Sequence, residues 1–249
     1  MNHLDHKQPE TLFTEIHHHI HKDPHRKASA LSDIILGGQD GLVNVLGVIL
    51  GVAAATGDAH IVLVAGLAAT FAESVSMAAV AYTTTIADAD FYESERQREY
   101  RHITDVPALE KEEIRHIYTE KGFTGEMLDR IVNTITANKD VWVAVMMAEE
   151  HQLMAIDRKI AFRSALIVGV AAIVGSLLPL IPFSVLPVKL GILVSIVFSA
   201  LVLFGVGAYK ARMTVGKPGR SGLEMAAIGT ASALVGFAVG LLLKTPVVP

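Results

Sequence analysis

Apolar positions in this chain fall into five long blocks separated by polar stretches of very unequal length. From Leu31 to Thr56 the only charged or amide side chains are Asp33, Gln39, Asp40 and Asn44. Comparable blocks run from about Ile61 to Ala87, Ala165 to Leu186, Leu190 to Tyr209 and Leu223 to Leu243. Each is long enough for the roughly 20 helical residues that a hydrocarbon core requires, so each is expected to be a membrane-spanning helix. An odd number of spans puts the two termini on opposite sides.

Between the second and third blocks lies the one sizeable polar segment. Neither Gly nor Pro occurs from Leu67 to Val106, so the second span is expected to leave the membrane as one long helix ending before Pro107. A short helix is expected from about Ala108 to Glu120, stopped by Lys121 and Gly122. A third is expected from near Glu126, and because the next Gly is Gly169, the pattern predicts that it continues straight into the third span. The expected fold is an all-α integral membrane protein, with five transmembrane helices and a cytoplasmic three-helix domain inserted between spans two and three. Its parts would be a tail over 1–28, spans one and two over 29–87, the inserted domain over 88–157 and spans three to five over 158–249.

Composition agrees with two solvents: 51% of the 249 residues are hydrophobic and only 18% charged, against about a quarter in soluble domains. There is no cysteine, which excludes disulfides, thiolate metal sites and cysteine nucleophiles. A net charge of -4 gives no basic footprint for nucleic acid. The tail carries His17, His18, His19, His21 and His25 beside Lys22, Arg26 and Lys27 and lacks the apolar core of a signal peptide. It reads as a charged, flexible N-terminus, with loose metal binding as the alternative. Lys22, Arg26 and Lys27 precede span one, and Lys210, Arg212, Lys217 and Arg220 separate spans four and five, whereas the opposite turns hold only Lys189. By the positive-inside rule the N-terminus and the inserted domain are cytoplasmic and the C-terminus is outside. The lack of a recognisable presequence is compatible with a prokaryotic plasma membrane.

Chemistry concentrates in two places. In span one, Asp40, Asn44, Gly47 and Gly51 share one helical face, and the pairs Gly37/Gly41 and Gly47/Gly51 would let other helices approach closely. An ionisable group in a span marks a functional site. In span two, Glu73 and Met77 are one turn apart on one face, potentially facing Asp40, and a thioether beside carboxylates suits a transition metal better than magnesium or calcium. The segment from Asp88 to Glu150 holds 15 acids against eight Lys and Arg. Within it, Glu99 and His102 are an i, i+3 pair, Glu110 and Glu113 another, and Met146, Met147 and Glu150 line the third helix. Converged, they would offer carboxylate, imidazole and thioether ligands for Fe(II) or Mn(II), with Zn(II) also possible; Glu95, Glu112 and Glu149 are weaker candidates. The two Glu-x-x-His spacings, Glu99 to His102 and Glu113 to His116, also match the ligand signature of di-iron carboxylate bundles, but the 14 positions between Glu99 and Glu113, interrupted by Pro107, leave little room for two bundle helices.

Four segments carry a family resemblance. They are ILGGQDGLVNVLGVILGVAAAT at Ile35 to Thr56, FAESVSMAAVAY in span two, VMMAEE at Val145 to Glu150 and GSLLPLIPF at Gly175 to Phe183. Together these resemble the vacuolar iron transporter family over roughly residues 30 to 243. The resemblance implies a homodimer that carries Fe(II), and often Mn(II), out of the cytosol in exchange for protons, with metal as cargo and no prosthetic group. It implies a path past Asp40 and Met77 at the dimer interface, and metal ligands at Glu99, His102, Glu110, Glu113, Met146, Met147 and Glu150. Two positions depart from the family pattern: Ala81 stands where a glutamate one turn after Met77 is usual, with Glu73 one turn before instead, and His102 replaces a usual glutamate. The expectation is therefore a transporter rather than an enzyme, passing metal to Asp40, Asn44, Glu73 and Met77. Its rivals are a manganese exporter, a membrane-anchored di-iron ferroxidase and a metal sensor.

Overall fold

The computed structural model describes residues 24–243. Among them every regular element is helical: α1 Pro24–Thr56, α2 Ala59–Asp105, α3 Pro107–Glu120, α4 Gly125–Thr136, α5 Lys139–Glu149, α6 Lys159–Leu177, α7 Ile181–Val185, α8 Val188–Met213 and α9 Pro218–Leu242. Five stretches are long and apolar enough to cross a membrane, namely Ala30–Thr56, α2, Lys159–Val185, α8 and α9. They coincide with the five expected spans. The histidines from His17 to His21 lie outside the described residues, and helix already begins at Pro24, inside the stretch expected as tail.

The chain divides into two compact units, one made of described residues up to Ala79 together with those from Ser164 onward, the other Val80–Arg163. In the first, glycine decides which helices touch. A Cβ on Gly37 or Gly41 would lie 2.2 Å from the Val168 carbonyl or 2.5 Å from that of Ala172, so this half of α1 packs backbone to backbone on α6. Further along α1, Gly47 and Gly51 meet Gly236 and Gly240 of α9 in the same way. Both small-residue pairs of span one are thus used, each on a different neighbour. Between them, Val45, Leu46, Ile49 and Leu50 are fully buried with Val62, Leu180 and Phe183. The outward faces stay apolar, as with Leu166, Val170 and Val174 of α6, which are exposed one turn apart and need lipid rather than water.

Pro179 and Pro182 break the third span. After α6 the chain forms a 3-10 turn at Leu178–Leu180 and restarts as the short α7. The Ser195 hydroxyl donates to the Pro179 carbonyl at 2.8 Å, satisfying a backbone acceptor inside the break.

In the second unit the long continuation of α2 is as expected, stopped by Pro107, the first residue of α3. The expected single helix from Glu126 into span three is not formed. Asn138 interrupts it by accepting hydrogen bonds from the Asp140 and Val141 amides at 2.8 and 3.3 Å, which caps α5. A second interruption follows Glu149, where Gln152 takes a positive φ of 55° and Asp157 accepts from the Lys159 amide at the start of α6. Short polar side chains that compete for backbone amides end a helix as well as Gly or Pro does. The inserted segment therefore comprises the end of α2 plus three helices, around a core of Ile103, Ile114, Leu128, Val132, Trp142, Val143, Met146 and Met147.

Candidate metal centre and intramembrane cluster

The end of α2 and the start of α3 meet at Pro107, which brings Glu99, His102 and Glu110 together. Glu99 is 2% exposed and Glu110 3% exposed. His102 Nδ1 stands 3.4 Å from Glu110 Oε1 and 3.9 Å from Glu99 Oε1. One carboxylate oxygen on each acid, Glu99 Oε2 and Glu110 Oε2, is buried without a hydrogen-bond partner among the described residues. One ligand atom from each of Glu99, His102 and Glu110 can be chosen so that all three lie within 4.8 Å of one another.

Burial, reinforced by the charges of Glu113 and Glu99, pushes the Glu110 carboxyl up to about 7. Glu113 lies beside Glu110, one turn along α3. Glu150, just past α5, is raised mainly by burial and then by Glu113, with His151 opposing the rise. Such mutual repulsion among carboxylates is what a divalent cation relieves.

Of the seven soluble positions singled out in the sequence, Glu99, His102, Glu110, Glu113 and Glu150 therefore interact. Met146 and Met147 are wholly buried in the apolar core of the unit. The weaker candidates are each engaged by a cation: Glu95 by Arg98 at 3.1 Å, Glu112 by Arg115 at 3.5 Å and Glu149 by Lys121 at 2.6 Å. His116 is largely exposed and pairs with Glu120 at 3.8 Å, so the second Glu-x-x-His does not contribute its imidazole to the cluster. This removes the paired Glu-x-x-His spacing on which the di-iron reading rested.

His151 was not among the sequence candidates. Its Nε2 lies 2.9 Å from Glu99 Oε1, and with Glu99 and Glu150 it forms a second set of ligand atoms within 4.8 Å. A helix continuing through this region would have turned it about 100° from Glu150. The break after Glu149 instead lets both side chains reach Glu99. The signal available in the sequence was the adjacent Glu149-Glu150-His151.

In the membrane unit, α1 and α2 place Asp40, Asn44 and Glu73 together. The Asn44 amide donates to Glu73 Oε2, and Asp40 lies beside the same carboxyl. Asp40 and Asn44 are exposed, while Glu73 and Met77, one turn apart on α2, are half-buried. The facing of Asp40 and Glu73 anticipated from the sequence is present.

Five apolar spans, a carboxylate pair inside them and an acidic, imidazole-bearing cluster outside define a polytopic α-helical membrane transporter. Residues 31–241 match the model of the VIT family. The vacuolar iron transporter 1 of Arabidopsis thaliana is 32% identical over 226 residues, covering 90% of each chain. That of Eucalyptus grandis is 32% identical over 219 residues, with 87% of this chain and 88% of its own covered. The vacuolar iron transporter of Toxoplasma gondii is 31% identical over 236 residues, with 90% and 78% covered. The chain belongs to the VIT family, a family of membrane transporters rather than enzymes.

Proposed function

We propose that this protein moves Fe(II), with Mn(II) as a second cargo, out of the cytosol in exchange for protons, and that it does so as a homodimer. The observation that carries the reading is the cluster of Asp40, Asn44 and Glu73 inside the spans, in which Asn44 donates to Glu73. Ionisable groups there are costly unless they serve a path. The names of the relatives support iron as cargo. Exposure of Asp40 and Asn44 on the membrane unit supports a second copy covering them, because hydrocarbon cannot solvate those side chains.

The cytoplasmic carboxylates and imidazoles collect the cation, with Glu113 in reach of Glu110 and Met146 and Met147 as thioethers exposed by rearrangement of the core. The cation passes to Asp40, Glu73 and Met77. On the far side protons compete for the same carboxylate oxygens and release it. With the N-terminus cytoplasmic, this direction is common to a vacuolar membrane, named for the relatives, and to a prokaryotic plasma membrane. Fe(II) and Mn(II) uptake into proteoliposomes under an imposed pH gradient tests it. Gradient-dependent flux that Asp40→Ala abolishes is the expected result. Asp40→Asn transporting iron as fast as wild type, with the same pH dependence, would overturn it.

A further inference from the structure

Glu99 lies between two imidazoles that reach it from different parts of the chain. His102 is one turn along the same helix, and His151 comes from the break beyond α5. We infer that His151 is a metal ligand and that Glu99 bridges two ion positions, one completed by His102 and Glu110, the other by Glu150 and His151. The inference rests on the metal-collecting role proposed for this cluster.

Three observations carry it. Each triad independently places one ligand atom per residue within 4.8 Å of the others, and Glu99 is the member they share. Glu99 and Glu110 are each at least nine-tenths buried, and Oε2 of each is buried with no hydrogen-bond partner among the described residues. A buried carboxylate oxygen without a partner is destabilising, and a bound cation is one group that would satisfy it. If His151 only neutralised Glu99, one oxygen of that carboxylate would still be stranded. Finally, the cluster gathers four carboxylates: Glu99, Glu110 and Glu150 meet in the two triads, and Glu113 lies one turn along α3 from Glu110. Two divalent ions match that charge.

One imidazole at each position also sets the chemistry of what binds. Nitrogen ligands favour Fe(II), Co(II) and Zn(II), whereas Mg(II) and Ca(II) favour oxygen. Both positions should therefore discriminate against the abundant alkaline-earth ions.

The test is calorimetric titration of the full chain in detergent with Co(II) and Zn(II), comparing wild type with His151→Gln. The glutamine amide keeps a hydrogen bond to Glu99, and N-terminal histidines common to both proteins cancel in the difference. The expected result is one ion fewer in the variant, or that ion bound at least about tenfold more weakly, with the remaining site unchanged. Equal stoichiometry and affinity in the two proteins would overturn the inference while leaving metal collection intact. Absence of binding in wild type would overturn both. Should the variant fail to fold, diethylpyrocarbonate labelling of wild type decides the matter by mass spectrometry: Zn(II) protects His151 if it is a ligand, and equal labelling with and without Zn(II) overturns the inference.

Discussion

Glu99 and Glu110, on consecutive helices joined at Pro107, are both almost wholly buried, and each carries an oxygen that no donor among the described residues reaches. Without metal, the two acids repel each other and strand those oxygens, so the metal-free unit is strained where the cation would bind. Replacing one acid by an amide relieves the repulsion and removes a ligand. Glu110→Gln should melt at a higher temperature than wild type without metal, yet bind Co(II) on the order of tenfold to a hundredfold more weakly. Thermal melting in detergent with and without the ion checks both halves; a variant that melts lower without metal contradicts the first.

The same residue sets a pH dependence with a definite sign. In the folded chain the Glu110 carboxyl is raised from its ordinary value of 4.5 to about 7 by burial and its acidic neighbours. Between those values the folded state holds a proton that the unfolded state has lost. Stability of the metal-free protein from this group is therefore fully present below about 4.5, falls as pH rises towards about 7, and is flat above it. Metal binding runs the other way, because a cation requires the ionised carboxylate and is displaced as pH falls through about 7. Melting curves at pH 5 and pH 7.5 should converge in Glu110→Gln. A wild-type melting temperature that rises over this interval without metal would contradict the sign.

Asn44 makes a separate prediction within the spans. Its amide donates to Glu73 Oε2, and Asp40 lies beside the same carboxyl. Asn44→Leu removes the donor without removing either acid. Loss of an orienting partner of this kind costs about tenfold to a hundredfold in affinity or activity. Iron flux into proteoliposomes should fall by that amount in Asn44→Leu and vanish in Asp40→Ala, whereas Asn44→Gln, which keeps an amide donor, should retain more flux than Asn44→Leu.

How much of this was legible in the sequence depended on which force fixes each feature. The five spans were legible because hydrocarbon imposes a length and a composition that no other constraint mimics. The facing of Asp40 and Glu73 was legible because helical periodicity puts each on a polar face. The soluble cluster was only half legible: Glu99, His102 and Glu110 depend on a helix and a proline, whereas His151 depends on where a helix stops. That stop comes after Glu149, where Gln152 takes a positive φ and Asp157 accepts from the Lys159 amide to begin a new helix, against propensities that otherwise favour helix throughout. Nor did periodicity distinguish Glu149, which Lys121 engages, from Glu150, one residue on, which joins the cluster.

Glycine in this chain has two distinct uses, and substitution separates them. A Cβ on Gly240 would fall 2.0 Å from the Gly51 carbonyl oxygen, a backbone atom that cannot rotate away, so α1 and α9 would have to part. On Gly205 of α8 the same atom meets nothing within 4 Å. Gly240→Val should therefore lose the α1/α9 seam and reduce or abolish the monodisperse peak in detergent, at a cost of at least about 1–3 kcal/mol for forced overpacking. Gly205→Ala should elute as wild type and melt at the same temperature or slightly higher, because alanine restricts the unfolded chain and favours helix by about 0.5–1 kcal/mol. Size-exclusion profiles of the two variants side by side are sufficient. Equal behaviour, in either direction, would mean that the close approach of Gly51 and Gly240 does not hold the membrane unit together.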